Sequence, residues 1–559
     1  MPTLAEILLK QHDSNPERVA VHVQRSGLAD LPISWGQLVS RAGSFADLYA
    51  RHGIQAGEVI VLVQEHGEAL ISSFFGAIFG GQIPAIMPFL TEKLSPEKYR
   101  TDLANLISVT QPAAIITNTE FEGEIRLAVS EGSPVRAIIL TSEAEPALAA
   151  DFDRLPGLTR PPDSIALLQH SSGTTGLQKG VALSQTSLLN QVEAYRSAIR
   201  INGDDVVVSW LPLYHDMGLI AGFLMPILSG IPLVLISPFD WVRAPQRLFQ
   251  AVSQFKGTLT WLPNFAYNFC AHKIRERHME GVDLSSWRAV INCSEPVRWD
   301  SHRQFFEKFR AYGLKFAALQ TCYAMAENVF GVTQSDLDSG PKIEQIDQQV
   351  FLNEHIIQQS TTDHPAIVMM SSGKPLSNTE ICILDPKGHA LPEKQIGEIA
   401  LYSNSMLTGY YRRPDLTENA FRADWYLTGD LGYLSDGELF VTGRKKDMII
   451  VGGKNIYPQD IEILVNQVPG VHGGRVVAFG VFDDDQGTEE VVVVAEVEET
   501  SPEHHKTISN EIRQLIARNS AVAVRTVHLV GPKWLLKTSS GKIARSANRD
   551  KYLAEVKHP

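Results

Sequence analysis

The chain has 559 residues, 44% hydrophobic and 20% charged, too long for one core and too ordinary in composition for a disordered, collagen-like or membrane protein. Its formal net charge of -13 argues against nucleic acid or an anionic membrane as the main partner, because such surfaces need clustered Lys and Arg. Cys270, Cys293, Cys322 and Cys382 show no C-x-x-C spacing, which excludes a disulfide framework or a zinc site and reads as reduced thiols of a cytoplasmic protein.

The N-terminus carries an acid and no basic stretch ahead of an apolar run, so no secretory signal is expected. Apolar runs at 59–63, 113–117, 137–140, 233–236 and 259–262 alternate with helix-like segments, the pattern of buried parallel strands covered by helices. The uncharged stretch 219–239 is long enough to span a bilayer, but Gly222, Pro226, Gly230, Pro232 and Pro238 break it. It predicts a buried helix, a turn and an inner strand, and no transmembrane segment. Residues 335–363, rich in Asp, Gln and Thr, fit a surface loop or a small inserted element. Around 398–403 and 437–442 short apolar strands between polar turns suggest an antiparallel, barrel-like region. Beyond Gly443 the pattern changes to strands at 449–451, 474–482 and 491–497 and helices at 459–467 and 509–517, a small α+β domain.

The strongest local signal is QHSSGTTGLQKGV at 169–181, between apolar strands at 165–168 and 181–183. Gly173, Gly176 and Gly180 let backbone N–H groups turn toward oxyanions, Ser171, Ser172, Thr174 and Thr175 add hydroxyl donors, and Lys179 adds a mobile positive charge. The spacing is not that of a G-x-x-x-x-G-K-[ST] P-loop. Taken alone, the run fits a phosphate cradle or an ordinary hairpin turn equally well.

Five further motifs follow in order: WLPLYHDMG at 210–218, CYAMAE at 322–327, YLTGD at 426–430, GRKKD at 443–447 and KTSSGKIAR at 537–545. With the loop, they make the chain resemble, over nearly its full length, the adenylate-forming superfamily of acyl-CoA ligases, peptide-synthetase adenylation domains and luciferases. The resemblance implies an α/β fold: a large N-terminal domain, residues 1–443, of two layered α/β sheets plus a β-barrel-like subdomain. A hinge joins it to a small, mobile α+β C-terminal domain, residues 444–559.

The resemblance also assigns roles, each of which the side chain's chemistry can fill. Ser171, Ser172, Gly173, Thr174, Thr175, Gly176 and Lys179 grip the phosphates of ATP. The Asp430 carboxylate accepts both ribose hydroxyls and Arg444 offers forked donors to ribose or phosphate. Tyr323 lies against adenine, and Ser294, Glu295 and Pro296 form the adenine-edge segment. Glu327 helps hold the Mg²⁺ that accompanies ATP. His215 lines the carboxylate entry and positions the acid, which is already ionised at neutral pH and needs no general base. Lys542 neutralises charge spread between the carboxylate and the α-phosphate, and Lys446 falls at the hinge. Out of context, Glu327 and Lys542 would be surface charges and His215 a half-buried core histidine.

Longer phrases, WLPLYHDMGL at 210–219, PNFAYNFC at 263–270, EPV at 295–297 and YPQDIE at 457–462, resemble the fatty acyl-AMP ligase branch. So does the excursion from Gln334 to about Ser371, where that branch carries an extra segment that disfavours CoA. The implied reaction is ATP-dependent activation of a carboxylic, fatty acid to acyl-AMP, then transfer to a carrier-protein phosphopantetheine thiol. GGKNIY at 452–457 is closer to the acyl-CoA ligases, so CoA stays open as acceptor, and Gln178 replaces the proline common before the loop lysine, which makes that loop less rigid without removing a donor. An amino-acid adenylation enzyme is disfavoured because no Phe-Asp-x-Ser-type segment lies near 210–216. A catalytically silent acyl- or nucleotide-binding protein is disfavoured because every charged catalytic position is filled.

Overall fold

Short apolar strands, nearly all β-branched or Leu, assemble two seven-stranded sheets in this computed structural model. It describes residues 1–91, 95–145, 152–171, 179–347, 350–351, 356–360, 366–451, 454–483, 488–498, 501–519, 524–538 and 542–557. The first sheet runs Leu319–Thr321, Ala289–Asn292, Leu259–Leu262, Val207–Ser209, Leu233–Ile236, Val19–Gln24 and Leu31–Ser34, parallel except for its last pair. The second runs Gly409–Tyr410, Lys179–Ser184, Ile165–Ser171, Ile83–Met87, Val59–Val63, Ala114–Thr117 and Ala137–Leu140. Its first three members are antiparallel and the rest parallel. Both faces of the inner strands are covered, which is why Val59–Val63, Leu233–Ile236 and Leu259–Leu262 are buried at every position rather than at alternate ones.

The 219–239 region forms a helix of wide turns, Met217–Leu224, continued by Met225–Ser229 and the strand Leu233–Ile236. Gly218 is required: a Cβ there would sit 2.1 Å from the Pro212 carbonyl oxygen. Gly230, at φ +68, turns the chain from the helix into the strand. Among the described residues no helix is long and apolar enough to cross a membrane.

The barrel-like region is an antiparallel sheet of Thr379–Leu384, Gly397–Ser403, Trp425–Ser435, Phe421–Arg422 and Glu438–Arg444. The described residues of the excursion near 335–363 form an inserted element docked on its neighbours. Ile343–Asp347 pairs antiparallel with Ala366–Met370, and Ile346, Phe351 and Ile357 pack on Tyr433 and Phe440 of the barrel-like sheet. Glu344 accepts hydrogen bonds from Tyr433 at 3.2 Å and Ser435 at 2.7 Å.

The smaller C-terminal body holds Val471–Asp483, Thr488–Val497 and Thr526–Val530 in one sheet, with the helices Pro458–Val465, Pro502–Asn519 and Arg545–Tyr552. The expected helix at 509–517 begins seven residues earlier, where His504, His505 and Lys506 interrupt any apolar stripe.

Candidate active site

Five parallel strands of the first sheet end side by side, and each delivers a different group at its carboxyl end, the place where open α/β sheets bind ligands. In spatial order they present Tyr323, then Ser294 and Glu295, then Phe265, then Trp210 with His215 and Asp216, then Trp241. The second sheet contributes Lys179, the barrel-like sheet Asp430 and Arg444, and the C-terminal body Lys542.

Asp430 and Arg444 are direct cross-strand partners in the hairpin that turns at Asp436 and Gly437, so their side chains meet by register. Arg444 Nε lies 3.1 Å from Asp430 Oδ1, and the Tyr323 hydroxyl donates to Oδ2 at 2.6 Å. The Asp430 N–H donates to Thr428 Oγ1 at 3.0 Å, fixing the turn that aims the carboxylate. Burial, and then the neighbouring Asp430 charge, push the Tyr323 phenol well above its usual range, so it stays a donor.

Glu327 stands on the turn Ala326–Asn328, which returns through Val329 at φ +62, a conformation that strains a β-branched residue. Tyr410 donates to Glu327 Oε1 at 2.9 Å and lies 3.0 Å from the Tyr426 hydroxyl. Lys179 Nζ sits 4.7 Å from the centre of the Tyr410 ring, which brings the loop lysine to the same corner. Burial raises the Glu327 carboxyl, Asp216 adds to the rise, and Lys179 opposes it.

Asp216 caps the helix Met217–Leu224, accepting from the Met217 N–H at 2.8 Å, and its Oδ1 lies 2.6 Å from His215 Nδ1. Burial alone would raise this carboxyl, but His215, Lys542 and the Met217 N–H together hold it down at about 2. Lys542 rides on a hairpin closed by Thr538 N–H to Lys542 O at 2.7 Å and by a bridge between Lys537 and Ile543. Burial lowers its ammonium, while Glu295 and Asp216 pull the other way. Arg545 secures that hairpin with 2.7 Å to Glu462, 2.9 Å to the Ala478 carbonyl and a further ion pair to Asp447.

Thus Tyr323, Asp430 and Arg444 form one group, Glu327 and Lys179 a second, and His215, Asp216 and Lys542 a third. Glu295 spends Oε2 on the Phe265 N–H at 2.8 Å, and Ser294 takes a left-handed φ of +67. Lys446 lies in the exposed turn Lys445–Asp447 between the barrel-like sheet and the C-terminal body. The backbone of Ser171 pairs with Lys179, whereas Ser172, Gly173, Thr174, Thr175, Gly176 and Gln178 lie outside the described residues.

Sequence reasoning missed His66, Tyr410 and Arg545. His66 Nε2 accepts the Leu213 N–H at 3.0 Å, stitching a loop of the second sheet to the segment that carries His215. Its Nδ1 is buried without a partner, and burial drives the imidazole down to about 3, so it stays neutral. A histidine three residues past the parallel strand Val59–Val63 was the available signal.

The arrangement brings together a carboxylate paired with a guanidinium, a lysine over an aromatic ring beside a carboxyl, and a cation beside a helix-capping acid. The AMP-binding enzyme family model matches residues 8–411. The chain is 30% identical to the medium-chain-fatty-acid–[acyl-carrier-protein] ligase JamA of Moorena producens, covering 99% of this chain and 95% of that one. It is 28% identical to the long-chain-fatty-acid–AMP ligase FadD26 of Mycobacterium marinum, covering 99% and 97%. A solved structure from a study of the fatty acyl-adenylate ligases of E. coli and L. pneumophila superposes with a TM-score of 0.89 at 26% identity, covering 100% of this chain and 99% of that one. The chain therefore belongs to the AMP-binding enzyme family, within the fatty acyl-AMP ligase branch of the adenylate-forming superfamily.

Proposed function

We propose that this enzyme activates a fatty acid with ATP and passes the acyl group to the phosphopantetheine thiol of a carrier protein. In the first step a carboxylate oxygen of the acid attacks the α-phosphorus in line, the bond to the β-phosphate oxygen breaks, and acyl-AMP and pyrophosphate form. In the second, the thiolate sulfur attacks the acyl carbon and AMP leaves. Both reactants of the first step are anions, so catalysis rests on cations at the meeting point.

The observation that carries this reading is the placement of Lys542. It reaches the cleft from the C-terminal body and is drawn by Glu295 and Asp216, between the Asp430 group suited to ribose and the His215 segment suited to the acid. Asp430 and Arg444 bind the nucleoside, with Tyr323 orienting Asp430 and its ring available to adenine beside Ser294, Glu295 and Pro296. Ser171, Ser172, Gly173, Thr174, Thr175, Gly176 and Lys179 hold the β- and γ-phosphates, and His215 positions the acid. Among the described residues no group of three or more His, Cys, Asp or Glu side chains forms a metal cage. Glu327, a half-buried carboxylate near Lys179, suits Mg²⁺, which commonly takes one protein carboxylate and shares phosphate oxygens. The ion would supply neutralisation of the triphosphate.

Residues 1–443 act as the ATP- and acid-binding domain and 444–559 as the mobile domain, turning at Lys446. The insert docked on the barrel-like sheet and the name of JamA, an [acyl-carrier-protein] ligase, favour a carrier protein over CoA. The four unpaired cysteines support a cytoplasmic setting. Lys542→Ala is expected to abolish acid-dependent pyrophosphate release while ATP binding persists; undiminished release would remove Lys542 from the chemistry. Offering CoA and a phosphopantetheinylated carrier protein to preformed adenylate decides the acceptor, and rapid acyl-CoA formation would overturn that part.

A further inference from the structure

The groups at the carboxyl ends of the first sheet's strands are ordered in one direction. Tyr323, bonded to Asp430, marks the nucleoside end, and Glu295 and Asp216, which both attract Lys542, mark the middle. From Glu295 the row continues over Leu259–Leu262, whose carboxyl end carries Phe265, then Val207–Ser209, which carries Trp210 together with Asp216, then Leu233–Ile236, which carries Trp241, before reaching Val19–Gln24. A tail attached to a carboxylate at Lys542 and directed along this row, away from the nucleoside, meets these aromatic groups.

They form one block. Trp210 and Trp241 stack nearly parallel, with ring centres 3.5 Å apart and planes 6° from coincidence. Phe265 meets both edge-on at 6.3 Å, and Phe269, one helical turn further along Asn264–Lys273, lies 5.3 Å from Trp241. The block reaches the reaction centre directly: the Phe265 N–H is held by Glu295, and Lys537, on the Lys542 hairpin, lies 5.9 Å from the Phe265 ring. Trp241 is fully buried and Trp210 is 4% exposed, so neither ring can swing aside into solvent. Neither indole N–H has a hydrogen-bond partner, whereas Trp261 on the neighbouring strand donates to Tyr195 at 3.0 Å. Paired tryptophans without acceptors spend their polar edges on nothing, so bulk and flatness are what the position uses.

We propose that the Trp210–Trp241 stack is the end wall of the acid-binding site and sets the length of acyl tail the enzyme accepts, a specificity role that rests on the fatty-acid reading above. Phe265 forms the side wall nearest the reacting carboxylate, and Trp241, on the short helix Pro238–Arg243, closes the far end.

The test uses the full-length enzyme, ATP, Mg²⁺ and straight-chain saturated acids of increasing length, with the adenylate trapped by hydroxylamine as the hydroxamate. In the parent, kcat/KM is expected to rise by about 4-fold per methylene while the tail finds apolar surface, and then to fall sharply at one limiting length. A rise that continues through the longest soluble acid overturns the proposal without any variant. Trp241→Leu is expected to move the limit to longer acids and raise the long-to-medium ratio of kcat/KM by at least about 10-fold, with Trp241→Phe moving it less. A ratio within about 2-fold of the parent in both folded variants overturns it, since that is less than one methylene's worth. No hydroxamate from the parent with any acid would instead refute the fatty-acid reading itself.

Discussion

Asp460 is a carboxyl whose charged form the fold resists. It lies in the first turn of Pro458–Val465, half-buried, with Oδ2 inaccessible to solvent and without a hydrogen-bond partner. Burial, and Glu462 in addition, raise its carboxyl from 3.8 to about 7, while Arg298, across from it on the N-terminal body, partly offsets the rise. A shift of about 3 units corresponds to a ceiling of about 4 kcal/mol, of which a half-buried residue realises only part. Because the folded value lies above the unfolded one, its contribution is fully present below about pH 4 and is lost as pH rises toward 7. Asp460→Asn keeps the shape and removes the titration. The two proteins should unfold alike near pH 4, and the variant should gain on the parent up to about pH 7 and hold its advantage above. Thermal unfolding midpoints of both proteins, measured at matched pH values, read this directly. Parallel midpoint curves across that range would mean that Asp460 ionises freely and that the reasoning fails.

Two further substitutions probe how the site is held. Arg545→Ala leaves the Glu462 and Asp447 carboxylates without their shared cation and should destabilise the C-terminal body by about 3–5 kcal/mol, read by chemical denaturation; Arg545→Lys should recover little of it. His66→Phe removes the acceptor of the Leu213 N–H at a cost of about 1–3 kcal/mol and should raise KM for the acid more than KM for ATP, with His66→Gln restoring part of the loss; equal effects on both substrates would assign His66 a purely structural role.

The parallel strands were legible because burial on both faces writes itself as an unbroken apolar run: Val59–Val63, Leu233–Ile236 and Leu259–Leu262 stand where the sequence predicts them. The inserted element was legible only as one of two alternatives, because its apolar anchors Ile346, Phe351 and Ile357 are scattered among polar residues and become a core only against Tyr433 and Phe440. The site divides in the same way. Asp430, Glu327 and Lys542 sit in compact motifs, where local spacing and resemblance point to them. His66 acts on a backbone N–H 147 residues away, and Tyr410 on a carboxylate 83 residues away. No window of sequence contains both partners of such a bond, and neither residue stands in a motif.

The charge balance of the cleft explains why the chemistry needs the C-terminal body in place. Asp216, held near 2, stays negative at any working pH, and Glu295 stands in the next strand end but one. On the proposed reading the acid's carboxylate must approach a triphosphate past these acids, while His215 is paired with Asp216, and Arg444, at the end of the barrel-like sheet, with Asp430. Lys179 lies over Tyr410 at the Glu327 corner, suited to the distal phosphates. The cation that Glu295 and Asp216 attract is Lys542, and it arrives only with the hairpin that Arg545 ties to Glu462, Asp447 and Ala478. On that reading the acidic residues that would repel the incoming carboxylate are the same ones that seat Lys542. Docking of the C-terminal body and readiness for adenylation are then one event, and loosening either the hairpin or its acidic seat should slow the first half-reaction more than it weakens nucleotide binding.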